Sequence, residues 1–178
     1  MEIVLAVATI LGGITALWFF WDKVVSWPGR NNTSNISQHD IDLYEEYKSL
    51  FITNGVAKFY RQHDFLGAFQ EDLWKPLSHY VDTWDTVEYE FVDKELDALH
   101  RKVYKSAYSL GTTIAGNTIP IGKDGHMRSV KPDNLPIGPT PEHILQEAQE
   151  INALTPEFYK CHEAFVKMAS SKLYNKNV

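Results

Sequence analysis

Four side chains between residues 90 and 100 have the types and spacing to do chemistry. Glu90, Asp93, Asp97 and His100 lie at i, i+3, i+7 and i+10, so one helix sets them on one face. A carboxylate and an imidazole three residues apart can ligate a metal ion, as in bundle di-metal sites. Such sites draw a second pair from another helix, and the sequence offers none. A metal-dependent enzyme built on Asp93, Asp97 and His100 therefore ranks last among the functional readings. A solvated acidic stripe, with His100 beside Arg101 and Lys102, ranks ahead of it, and no metal or other cofactor is expected.

Cys161-His162-Glu163 invites a second reading, because a thiolate beside an imidazole is a nucleophile. Adjacent helical positions diverge by roughly 100°, so the two side chains do not face each other. Cys161 instead falls on an apolar stripe with Phe158 and Phe165 and reads as a packed core thiol. The cations Lys123, His126, Arg128 and Lys131 form the one basic concentration in an acidic chain. They are the candidate contact for an anionic ligand or an acidic partner, set against a simple solvated loop. The aromatic residues Trp74, Tyr80, Trp84, Tyr89 and Phe91 read as core ahead of a stacking platform. Motifs for zinc proteases, P-loops, dinucleotide folds and serine hydrolases do not occur, and Gly122-Lys123-Asp124-Gly125 is a turn.

These residues need elements to hold them, and the apolar spacing supplies a mainly α fold. A first helix is expected from Ser37 or Asp40 through Ile41, Tyr44, Tyr47, Lys48 and Phe51, ended by Asn54-Gly55. A short helix over Val56–Gln62 follows. Another begins near Asp64 and kinks or breaks at Pro76 before Leu77–Trp84. The longest runs from Glu90 to Ile114, with Gly111 and Gly116 loosening and then stopping it. Residues 117–141 carry five of the eight prolines and suit a small hairpin, Ile119–Ile121 against Met127–Val130. Thr140-Pro141-Glu142 and Thr155-Pro156-Glu157 each look like a capped helix start, which predicts two closing helices.

Ahead of this bundle, Ile3 to Trp21 runs for nineteen residues without a charge. At about 1.5 Å per residue that spans a bilayer core, and Trp18 and Trp21 followed by Asp22 and Lys23 suit its interface. A buried core helix suits the uncharged length less well. A cleaved signal peptide is disfavoured by the Met-Glu start and the bulky aromatic end. Lys23 and Arg30 follow the span, so the bias of cations towards the inside puts the N-terminus outside and the bundle in the cytoplasm. Ala8, Gly12 and Ala16 recur every four residues, a spacing that lets two membrane helices pack closely as a homo-oligomer. The organisation expected is an anchor over 1–25, a Pro-Gly-containing linker over 26–38 and a soluble domain over 39–178.

The chain has a net charge of −6, and Glu2 is the only charge before Asp22. An acidic domain repels phosphate backbones, so no nucleic acid partner is expected. Cys161 is the single cysteine, which rules out an internal disulfide and suits a reducing compartment. Overlapping sequons at Asn31, Asn32 and Asn35 matter only in a secretory lumen.

The stretch EFVDKELDAL, the later NTIP and the Pro-rich loop resemble a loose group of uncharacterised bacterial membrane-anchored helical proteins. The resemblance covers residues 85–175 and the anchor. It implies a bacterial inner-membrane protein of host-defence or regulatory type and brings no catalytic residues. The leading expectation is a non-enzymatic interaction or sensory module at the cytoplasmic face, contacting the bilayer and a protein partner or small ligand. An oligomerising membrane effector that perturbs the bilayer when triggered is the alternative.

Overall fold

The computed structural model describes residues 37–174. The expected anchor, with Ala8, Gly12, Ala16, Trp18, Trp21 and Lys23, lies outside the described residues, as does most of the linker. Among the described residues no helix is long and apolar enough to cross a membrane.

The described chain is mainly helical. Helix α1 (Gln38–Lys48) continues into a π-helical turn at Ser49–Thr53. Of the predicted stripe Tyr44, Tyr47 and Phe51 are buried at a spacing of three or four, Ile41 and Lys48 are half-buried, and Leu43 joins the core beside Tyr44. Gly55 then adopts φ +69°, a left-handed conformation that favours glycine, and α2 (Val56–Gln62) begins beyond it. Ser37 makes no capping bond. Asp40 is buried instead and accepts the backbone amides of Val92 and Asp93 at 2.7 and 2.9 Å.

No helix starts at Asp64. Its carboxylate accepts the Leu66 amide at 3.0 Å and the Asn152 side-chain amide at 2.8 Å, which fixes a turn. Phe69–Gln70 then forms β1, and α3 (Glu71–Thr83) runs unbroken through Pro76. An interior proline costs about 3 kcal/mol. Burying Trp74, Leu77 and Tyr80 on one face is worth about 1.5–3 kcal/mol each, which outweighs it.

Helix α4 (Lys94–Asn117) starts four residues later than its apolar pattern suggests, because Asp93 caps it by accepting the amides of Glu95 and Leu96. Neither Gly111 nor Gly116 stops it. The expected hairpin is present as β2 (Ile119–Ile121) and β3 (Met127–Ser129), paired antiparallel with Ile121 opposite Met127. Strand β1 pairs with the free side of β3, Phe69 opposite Arg128, completing a sheet of order β1-β3-β2.

The two closing helices are one, α5 (Glu142–Tyr174), which carries Pro156 in its interior. Ile151, Thr155, Phe158, His162 and Phe165 are all buried across that point, so a single helical face spans the proline. Helices α4 and α5 make the most extensive contact, and α1, α2 and α3 close the core around them.

Candidate functional site

The residues that looked able to do chemistry are distributed by the fold among different tasks. Asp93 is bound through both carboxylate oxygens by the Lys172 ammonium at 2.8 Å, which also reaches Glu95 at 2.9 Å. Asp97 accepts Arg101 Nε at 3.0 Å through one oxygen, and Glu90 accepts Arg101 Nη2 at 2.6 Å. His100 is buried on the same side and lines the cleft described below, its Nε2 bonded to the Tyr80 hydroxyl at 2.8 Å. The expected solvated stripe is therefore corrected, since Asp97 and His100 are both buried. Among the described residues no three His, Cys, Asp or Glu side chains are placed to hold one metal ion.

Cys161 packs against the core as its apolar stripe predicts, though at the edge of it, and His162 is the more deeply buried of the two. Cys161 is only partly covered and its thiol contacts Glu157 at 3.5 Å, while His162 lies in the core with Nδ1 2.6 Å from the Tyr47 hydroxyl. Burial raises the Cys161 pKa and opposes thiolate formation. Burial also depresses both imidazoles, His100 and His162, to about 4. Each histidine is then a neutral core residue, satisfied by a tyrosine and enclosed by rings. His100 sits 5.2 Å from Phe91, 5.3 Å from Trp84 and 5.7 Å from Phe165.

The basic loop is split as well. Arg128 donates to the Thr118 hydroxyl and carbonyl, each at 3.0 Å, pairs with Glu71 at 3.3 Å and lies 5.4 Å over the Trp74 ring. It fastens β3 to α3 and to the end of α4. Lys123 and His126 are exposed and Lys131 is half-buried, so the four do not act as one cationic cluster.

What the fold does bring together is a cleft of about 300 Å³ between the segment after α3 and the first turns of α4. Its walls include Trp84, Asp85, Tyr89, Glu90, Asp97 and Arg101. Trp84, at the end of α3, and Tyr89, on the one-turn 3-10 helix Val87–Tyr89, stack at 4.6 Å with their planes 27° apart. Two buried polar atoms of residues on this wall, the Trp84 indole Nε1 and Asp97 Oδ1, have no hydrogen-bond partner among the described residues. Both are shielded from solvent behind the cleft wall, and leaving either bond unmade costs about 1–3 kcal/mol. A second hollow of about 250 Å³ lies by Arg61 and Tyr159, where the guanidinium stacks 4.8 Å over the ring.

The acidic face and the aromatic group are thus each legible in the sequence, but the cleft they form is not. It depends on residues 84–93 turning back along α4, held by Asp40 and by the His39 ring 3.1 Å from the Glu90 carbonyl. Comparison with protein-family models, with curated proteins and with solved structures finds no match.

Proposed function

We propose that the chain is a non-enzymatic interaction or sensory module, tethered to a membrane by Ile3–Trp21 with its bundle on the cytoplasmic side. The observation that carries the reading is the cleft, an open hollow of about 300 Å³ lined by aromatic and acidic side chains. The internal pairing of Asp93, His100 and His162 supports it further, since side chains spent on Lys172, Tyr80 and Tyr47 are not presented to a substrate. The nineteen uncharged residues ahead of the bundle support the tether.

The test is fractionation of cells expressing the full chain, with protease added from the outside, followed by cross-linking and capture of partners. A carbonate-resistant membrane protein, cleaved only after permeabilisation and cross-linked to a defined partner or ligand, is the expected result. Recovery in the soluble fraction refutes the tether, and a saturating screen with no partner or ligand refutes the interaction module.

The spacing of Ala8, Gly12 and Ala16 favours a second reading, an oligomerising membrane effector. It requires a defined oligomer in detergent that Gly12→Leu dissociates, together with depolarisation of overexpressing cells. Monomers of both forms, or a normal membrane potential at high expression, remove it.

A further inference from the structure

We propose that two buried pairs, Tyr80 with His100 and Tyr47 with His162, give the bundle a one-electron redox activity. They take up the oxidising equivalent of an organic peroxyl radical and hold it as a shielded tyrosyl radical. The inference stands apart from the interaction reading and from the tether. Both phenols are fully buried, and each hydroxyl meets an imidazole: Tyr80 at 2.8 Å from His100 Nε2, Tyr47 at 2.6 Å from His162 Nδ1. With the hydroxyl as donor, the facing nitrogen of a neutral imidazole is a ready place for the phenol proton. Tyr60 and Tyr104 differ, because they donate to the carbonyls of Leu73 and Val81, which cannot hold a proton.

Neighbouring rings supply the route for the electron. The Tyr47 and Tyr80 centroids lie 5.8 Å apart, Tyr104 lies 5.8 Å from Tyr80, and Tyr108 lies 6.3 Å from Tyr104. Tyr108 is 51% exposed, so this line of phenols runs from solvent to the core. A branch leaves Tyr80 through Trp84, at 5.0 Å, and ends on the half-buried Tyr89, 4.6 Å further on. In the reaction the electron leaves Tyr80 along the rings to a peroxyl radical at Tyr108. The Tyr80 O–H bond breaks and its proton passes to His100 Nε2. The peroxyl radical takes the electron and a proton from water and departs as a hydroperoxide. An oxidised phenol is a strong acid, so an imidazole whose basicity burial has weakened still accepts its proton, and the charge of Asp97 favours the imidazolium formed. Tyr47 and His162 repeat the arrangement one ring deeper. A phenoxyl enclosed there meets neither a second radical nor a dissolved reductant, and so persists.

The experiment exposes the full chain, in nanodiscs of saturated lipid, to peroxyl radicals from a water-soluble azo initiator in air. Frozen samples are read by electron paramagnetic resonance. A persistent tyrosyl signal is expected, identified by the collapse of its splitting with carbon-deuterated tyrosine. It should fall at least tenfold in the double variant Tyr80→Phe, Tyr47→Phe. The same fall is expected in His100→Gln, His162→Gln, where a hydrogen-bond acceptor remains but cannot hold the proton. One readout needs no variant and so survives any failure of the variants to fold. With carbon-deuterated tyrosine in the unaltered chain, a proton donated by the imidazolium must still couple to the phenoxyl. A signal no longer-lived than that of N-acetyltyrosinamide overturns the proposal, as does an undiminished signal in the glutamine variant or a radical without the coupled proton.

Discussion

The hydroxyl of Thr155 donates to the backbone carbonyl of Asn152 at 3.1 Å, and that carbonyl is the one Pro156 leaves without an amide partner. The same Asn152 uses its side chain to hold the turn at Asp64 and Phe65, donating at 2.8 Å and accepting at 3.1 Å. A proline that would divide α5 is thereby bridged within one turn. Thr155→Val is expected to lower stability by about 1 kcal/mol, since it removes the hydroxyl that partners that part-buried carbonyl. Pro156→Ala restores the amide and is expected to raise stability by about 1–3 kcal/mol. Urea unfolding of both variants checks the pair, and a loss in Pro156→Ala contradicts it.

Acid should loosen the fold through His100 and His162. Both have folded values near 4 against an ordinary 6.5, so between these limits the unfolded chain binds more protons than the folded one. Their contribution is complete above pH 6.5 and falls as pH drops towards 4, by at most about 3 kcal/mol for each histidine. Unfolding free energies measured from pH 7 to pH 4 should show this slope, flattened in His100→Gln and His162→Gln. An unchanged slope in both variants contradicts the assignment.

Two glycines of α4 should respond oppositely to bulk. A Cβ on Gly116 meets nothing within 4 Å, so Gly116→Ala should stabilise by about 0.5–1 kcal/mol through helix propensity alone. A Cβ on Gly111 meets Val81 Cγ2 at 3.2 Å, with Leu77 and Trp74 close behind. Gly111→Leu should therefore destabilise by about 1–3 kcal/mol as α3 and α4 are forced apart. Thermal midpoints of the two variants should move in opposite directions.

Arg128 is expected to matter for stability. Arg128→Lys keeps the charge but loses the fork that reaches Thr118 and Glu71 together, at an expected cost of about 1–3 kcal/mol. Lys123→Ala, on the exposed turn, should change stability by less than about 0.5 kcal/mol. Comparable losses from the two would return Arg128 to a solvated loop.

Local chemistry was legible, and long-range partnership was not. Val56–Gln62 and the hairpin were predicted within a residue or so, because Gly55 and the Gly122–Gly125 turn announce themselves through backbone requirements. Strand β1 was missed because two residues carry no periodicity and their pairing lies on β3, far along the chain. Thr155-Pro156-Glu157 misled because a threonine before proline can cap a new helix or mend an existing one. Only burial on both sides decides between them. His100 reads as a surface group, and His162 draws notice only as the neighbour of Cys161, because the tyrosines that satisfy them are 20 and 115 positions away. For the site, Asp97 and His100 do share one side of α4, but Glu90 reaches it from the segment ahead of the helix, as do Trp84 and Tyr89.

The placement of α5 has a consequence for synthesis. This last helix supplies Phe158, His162 and Phe165, which close over Phe51, Tyr47 and Tyr44 of the first described helices. At roughly 5–20 residues per second the ribosome needs about 2–7 seconds to make its 33 residues. Throughout that interval the side of α1 that α5 covers, above all Tyr44, waits exposed while α3 holds only Tyr47 and Phe51, so a nascent chain halted at residue 141 should bind chaperones that release it once α5 has emerged.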